Sequence, residues 1–199
     1  IKNILCITGD SVKAGDQLDA KAVHELESVR LLKQIKDFND GIDPTFETLA
    51  DKKTNLFAGA AADPSCSNLR SLKMRTQKKK DAGAKFIQTQ MIMDKKFLLN
   101  FCKSITEPLG IPVIAGVFLL KSYKNALFVN KYVPGANIPE TILNRLKESK
   151  EPMEEGINIA SEQVQEFMQL SQGVHIMAVK SEHLVPEILK RANVNLEYL

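Results

Sequence analysis

Three polar side chains could do chemistry, two of them where short apolar runs end. Asp10 closes the run 4–8 through a Gly9-Asp10 pair, Gln90 ends the run 86–91 within Gln88-Thr89-Gln90, and Lys79 lies inside the basic stretch Lys78-Lys79-Lys80. A carboxylate acts on a nearby group through its charge, although an Asp after Gly also shapes turns. A carboxamide offers one partner both a donor and an acceptor, although a glutamine at a strand end is ordinarily polar surface. A lysine within a charged run is ordinarily a solvated face. Thr8, Gly9, Ala60 and Ala62 are small residues near the same run ends, where they would let a ligand approach the backbone or simply pack.

Other chemistries find no support. His24, His175 and His183 are scattered over a helix, a strand and the segment after it, so they suggest neither a metal site nor a Ser/His arrangement, and no nucleophile elbow is present. No GxGxxG follows a strand, which argues against dinucleotide binding in the Rossmann manner. Cys6, Cys66 and Cys102 are odd in number and lack CxxC spacing, so a disulfide framework and a structural zinc are not expected, and a reducing cytoplasm is.

The elements that must position these residues alternate in kind. Apolar runs at 4–8, 55–61, 86–91, 112–118 and 174–179 read as strands, and 112–118 is apolar enough for a strand covered on both faces. Between them lie amphipathic segments. Leu26, Val29, Leu32, Ile35 and Phe38 recur on one helical face and stop at Asn39-Asp40-Gly41. A basic helix runs from Leu69 to Asp81, and Ala82-Gly83-Ala84 returns it to the next strand. Asp94 caps a helix that buries Phe97, Leu98, Phe101 and Ile105 and ends at Pro108 and Gly110. Further helices are expected at 122–131, 140–150, 152–172 and 183–192. Such βα alternation predicts an α/β protein with a parallel sheet.

At 199 residues, 44% hydrophobic and 26% charged, the chain suits one soluble domain burying roughly 70% of the surface its unfolded form exposes. Its net charge of +3 is dispersed, which gives no footprint for nucleic acid. No apolar run reaches the roughly 20 residues of a membrane span. The chain opens inside a strand-like segment, without Met, which suggests a fragment or a processed chain. Five βα units leave two alternatives: a (βα)8 barrel seen in part, or a complete doubly wound sheet.

Four segments carry a resemblance that decides between these: Ile7-Thr8-Gly9-Asp10, Phe57-Ala58-Gly59-Ala60-Ala61-Ala62-Asp63-Pro64, the stretch from Asp81-Ala82-Gly83 to Gln88-Thr89-Gln90, and Ile111-Pro112-Val113-Ile114-Ala115-Gly116-Val117. In order and spacing they resemble the methylenetetrahydrofolate reductases, flavin-dependent (βα)8 TIM barrels. The resemblance extends loosely to the C-terminus. It implies a single partial TIM-barrel domain over 1–199, supplying the last five βα units, strands four to eight, with the first units absent.

The resemblance also implies roles. Asp10 would stand beside the flavin ring as the catalytic carboxylate, and Gln90 would hydrogen-bond the pterin of the substrate. Thr8, Gly9, Asp10, Ala60, Ala62 and Lys79 would contact the cofactor, FAD or alternatively FMN, with Lys79 near its phosphate or ribityl region; no metal is implied. The expected activity is reduction of methylenetetrahydrofolate to methyltetrahydrofolate in one-carbon metabolism and methionine biosynthesis. Electrons would come from NAD(P)H or a partner electron-transfer subunit, in an oligomer or complex. Two departures stand out. The acidic proton donor of an early strand has no counterpart here, and an aspartate expected in the helix before Lys79 is replaced near Leu72. The alternatives are a catalytically inactive barrel subunit serving assembly and a pterin-binding methyltransferase barrel.

Overall fold

In the computed structural model, which describes residues 1–9, 19, 21, 26–43, 45, 53–133 and 135–195, five strands form one parallel sheet in the order of the chain. They are β1 (Asn3–Cys6), β2 (Phe57–Ala62), β3 (Phe86–Met91), β4 (Val113–Phe118) and β5 (Gly173–Met177). The helices are α1 (Ser28–Asp40), α2 (Leu69–Asp81), α3 (Lys95–Phe101), α4 (Glu107–Leu109), α5 (Tyr123–Tyr132), α6 (Glu140–Glu148), α7 (Pro152–Met168) and α8 (Val185–Arg191). A doubly wound sheet must reverse direction at a switch point, and this one never does. Right-handed crossovers that always advance the same way bring the helices to one face, the arrangement of a half-barrel.

Burial follows the pleat. Cys6, Ala58, Ala60, Ile87, Val113, Ala115 and Val117 are buried in one cluster with Leu32 and Ile35 of α1, Leu72 of α2, Leu98 and Phe101 of α3, and Val164 and Phe167 of α7. The alternate residues face away from the helices. Among them Gln90 and Phe57 are exposed, and Gln88, Ile114, Phe118 and His175 are half-buried. The apolar run of β4 therefore does not have both faces sealed, contrary to the sequence expectation. On this second face the Phe57 and Phe86 rings stack with centroids 5.6 Å apart. Gly59 lies against the Phe86 ring, where a Cβ would come within 2.2 Å of it, so no side chain fits.

Local chemistry sets most boundaries. Asn68, Asp94 and Ser122 accept backbone N–H bonds as N-caps of α2, α3 and α5, and Gly41 ends α1 at φ 83°. Pro108 does not end the third helical run as expected. A five-residue π segment, Cys102–Thr106, takes up an extra residue before it, with Glu107 N–H donating to the Cys102 carbonyl, and Gly110 then stops the helix in the left-handed region. Leu26, expected on the buried face of the first helix, is exposed, because α1 begins beyond it at Ser28. The helix expected over 152–172 stops at Met168, and 183–192 opens with a 3-10 turn, Glu182–Leu184, before α8. Among the described residues no helix is long and apolar enough to cross a membrane.

Candidate functional site

The carboxyl ends of β1, β2 and β3 converge on a cleft of about 410 Å³ that runs from the strand ends over one face of α2. Its wall comprises Ile7 and Thr8 after β1, Ala61, Ala62 and Asp63 at the end of β2, Leu72, Arg75, Thr76 and Lys79 from α2, and Gln90 from β3. The spacing of the α2 residues explains their convergence, since positions 72, 75, 76 and 79 follow the three-and-four rhythm of one helical face. The volume falls within the roughly 300–1,000 Å³ of small-molecule sites, and its place at the carboxyl ends of strands is where barrel sites form.

Of the residues singled out in the sequence, Thr8, Ala62, Lys79 and Gln90 meet here. Thr8 also secures the start of α1, its hydroxyl accepting from the Ser28 backbone N–H at 3.2 Å. Ala60 lies apart from the cleft: it is fully buried on the helix-facing side of β2, and the neighbouring Ala61 lines the wall instead. Ala60 shares its side of β2 with Ala62 but lies two residues short of the strand end where the cleft opens. Gly9 does not line the cleft, and a Cβ placed on it would meet nothing within 4 Å. Asp10 lies outside the described residues.

Lys79 reaches back along α2 to the strand end, its Nζ donating to the Ala61 carbonyl at 2.6 Å. Burial pushes its pKa down, the Arg75 guanidinium one turn earlier pushes it the same way, and Glu27 opposes them. Two cations share this side of the cleft, and Arg75 Nη2 donates to Cys66 Sγ at 3.3 Å. Arg75 and Asp63 escaped the sequence reading. Arg75 gave a signal, being four residues before Lys79 on a helix, but a basic helix offers many such pairs.

Gln90 owes its position to an irregularity in β3. Gln88 pairs with Ile114 and Met91 with Gly116, so three steps along β3 match two along β4, a β-bulge at Thr89 and Gln90. His175 on β5 sits beside it, with Nε2 2.9 Å from the Thr89 carbonyl and Nδ1 3.5 Å from Gln88 Nε2. Among the described residues no group of three or more His, Cys, Asp or Glu could hold a metal ion.

A solved structure titled as an uncharacterized protein from Clostridium thermocellum that binds two copies of 5-methyl-5,6,7,8-tetrahydrofolic acid shares the fold, with a TM-score of 0.52 at 20% identity. The alignment covers 71% of this chain and 54% of that one, so the chain spans about half the length of the structure it matches. The family model for methylenetetrahydrofolate reductase matches residues 1–193, and with the motifs at 7–10, 57–64, 81–90 and 111–117 inside that match, the chain belongs to the methylenetetrahydrofolate reductase family.

Proposed function

We propose that this chain is the flavin- and folate-facing part of a (βα)8 barrel that reduces methylenetetrahydrofolate to methyltetrahydrofolate. The observation that carries the reading is the meeting of Thr8, Ala62, Lys79 and Gln90 in one cleft at the strand ends. The ligand of the Clostridium thermocellum protein, a methyltetrahydrofolate, has the chemistry of the product.

The cleft suits a flavin on two counts. Ala61 and Ala62 leave a low wall where a planar ring can approach. Lys79 and Arg75 place two cations on one side, and their repulsion is relieved by an anion such as the phosphate of FAD or FMN. A bound flavin would supply the hydride. The protein's part is to hold the reactants in register and keep water from the reacting face. Gln90 offers a donor and an acceptor to the pterin edge, and Asp10 follows the β1 segment from which it would bias the ring by its charge. Lys79, neutralised neither by a carboxylate bond nor by full exposure, would anchor the phosphate end.

The test uses the whole enzyme that contains this chain. Purified anaerobically, it should retain flavin by absorbance, be reduced by NADH or by reduced ferredoxin, and be reoxidised by methylenetetrahydrofolate with formation of methyltetrahydrofolate. Methyl transfer to a cobalamin protein without bound flavin would favour the methyltransferase alternative. Neither flavin nor folate binding would favour the assembly subunit.

A further inference from the structure

The bulge that presents Gln90 is held from three strands. Thr89 Oγ1 accepts the Gly116 N–H of β4 at 2.9 Å and donates to the Gln90 carbonyl at 2.7 Å. From β5, His175 Nε2 lies 2.9 Å from the Thr89 carbonyl, and because a carbonyl only accepts, Nε2 must carry the proton. Nδ1 is then a free lone pair facing Gln88 Nε2 at 3.5 Å, so one neutral tautomer serves both contacts. Gly116 is the residue that lets the strands close: a Cβ there would lie 2.6 Å from the Gln90 carbonyl oxygen and 2.9 Å from His175 Nε2. After the bulge the ladder resumes with Ile92 N–H donating to the Gly116 carbonyl at 2.9 Å.

Bulges beside sites re-aim side chains, and among the described residues this one occurs at the strand end that delivers a carboxamide to the cleft. We infer that Thr89, Gly116 and His175 form a clamp that fixes where Gln90 presents its carboxamide, which makes His175 a positioning residue for recognition of a flat heterocycle with a donor–acceptor edge. His175 does not itself line the cleft. It acts on the peptide that immediately precedes Gln90. The inference rests on the proposed folate reductase reading, which supplies the heterocycle.

A double-mutant cycle in the whole enzyme tests it. His175→Leu should raise KM for methylenetetrahydrofolate about tenfold, the scale of one lost polar contact, while the rate of flavin reduction by the electron donor stays as in the wild type. His175→Gln, which keeps an Nε2 donor, should restore most of the loss. In a Gln90→Ala background His175→Leu should add less than about twofold, because its effect passes through Gln90. Fully additive effects, or loss of flavin reduction in step with KM, would overturn the clamp. A second arm needs no turnover. In ¹⁵N spectra the Gln90 side-chain amide should shift in His175→Leu, and Thr89→Val but not Thr89→Ser should speed exchange of the Gly116 amide. An unmoved Gln90 signal overturns the clamp even if the wild type reduces no folate, whereas an inactive wild type with a shifted signal overturns only the reductase reading.

Discussion

Lys79 is the residue whose surroundings say most about a ligand. Its ammonium is partly desolvated, bound to one backbone carbonyl and pressed by Arg75 against the smaller pull of Glu27, so an anionic ligand would relieve it where another donor would not. Lys79→Met should weaken flavin binding roughly ten- to a hundredfold, a charged hydrogen bond contributing roughly 1.5–3 kcal/mol, and should flatten the salt dependence of binding; fluorescence titration at two ionic strengths measures both. His175 gives a second prediction. Burial, the larger cause, lowers its pKa from 6.5, and its bond to Thr89 opposes only in part. The unfolded chain then takes a proton near 6.5 that the folded one refuses, so folding stability is complete above that pH and falls as pH drops through 6.5 toward the lower folded value. Thermal melts between pH 7.5 and 5 should show a shallower acid slope in His175→Gln than in the wild type, and an unchanged slope would remove His175 from the account. Gln90 was legible at a strand end, and Lys79 only through the family resemblance, because within a lysine run its local pattern reads as a solvated face; the pairing of His175 with Thr89 was not legible, since it joins residues 86 positions apart through a bulge that no local pattern announces.

Helices and strands follow local rules closely where one side chain decides a boundary. Gly41, Asn68, Asp94 and Ser122 set ends that the sequence foretold, whereas the π segment before Pro108 and the stop of α7 at Met168 have no such single side chain to announce them. Gly156 shows how tight helix packing against the sheet is. It sits in α7 where a Cβ would come within 1.8 Å of the Leu120 carbonyl oxygen just past β4, and backbone cannot swing aside as a flexible side chain can. Gly156→Ala should therefore cost about 1–3 kcal/mol or more despite the better helix propensity of Ala. Gly173, at the start of β5, has nothing within 4 Å of such a Cβ, so Gly173→Ala should shift the midpoint far less. Urea denaturation of the pair decides: equal losses would mean that α7 can slide from β4 without cost.

At the scale of the whole molecule, among the described residues, the sheet β1-β2-β3-β4-β5 packs its helices on one side and leaves much of the other side, toward β1 and β2, without a covering layer. Phe57 is 50% exposed and Ile7 58%, and Leu5 and Ile114 are half-buried on this side, whereas Phe118 and Met177 at the ends of β4 and β5 pack against a second apolar cluster with α5 and α6. Sheets are stable when both sides are covered, by helices or by closing on themselves, and a bare apolar face of this kind associates or aggregates. The sequence disclosed this indirectly: the count of five βα units fell short of eight, and the run 112–118 was too apolar to leave a face in water. In the barrel proposed here the uncovered side is the interior, which further βα units would complete. The 199-residue chain alone should then bind a hydrophobic dye such as ANS strongly and elute as an associated species. The whole enzyme should bind the dye about as weakly as an ordinary folded domain, whose exposed apolar patches are small. Weak dye binding by a monomeric 199-residue chain would show that five strands make a finished sheet, and the cleft would then have to work without the remainder of a barrel.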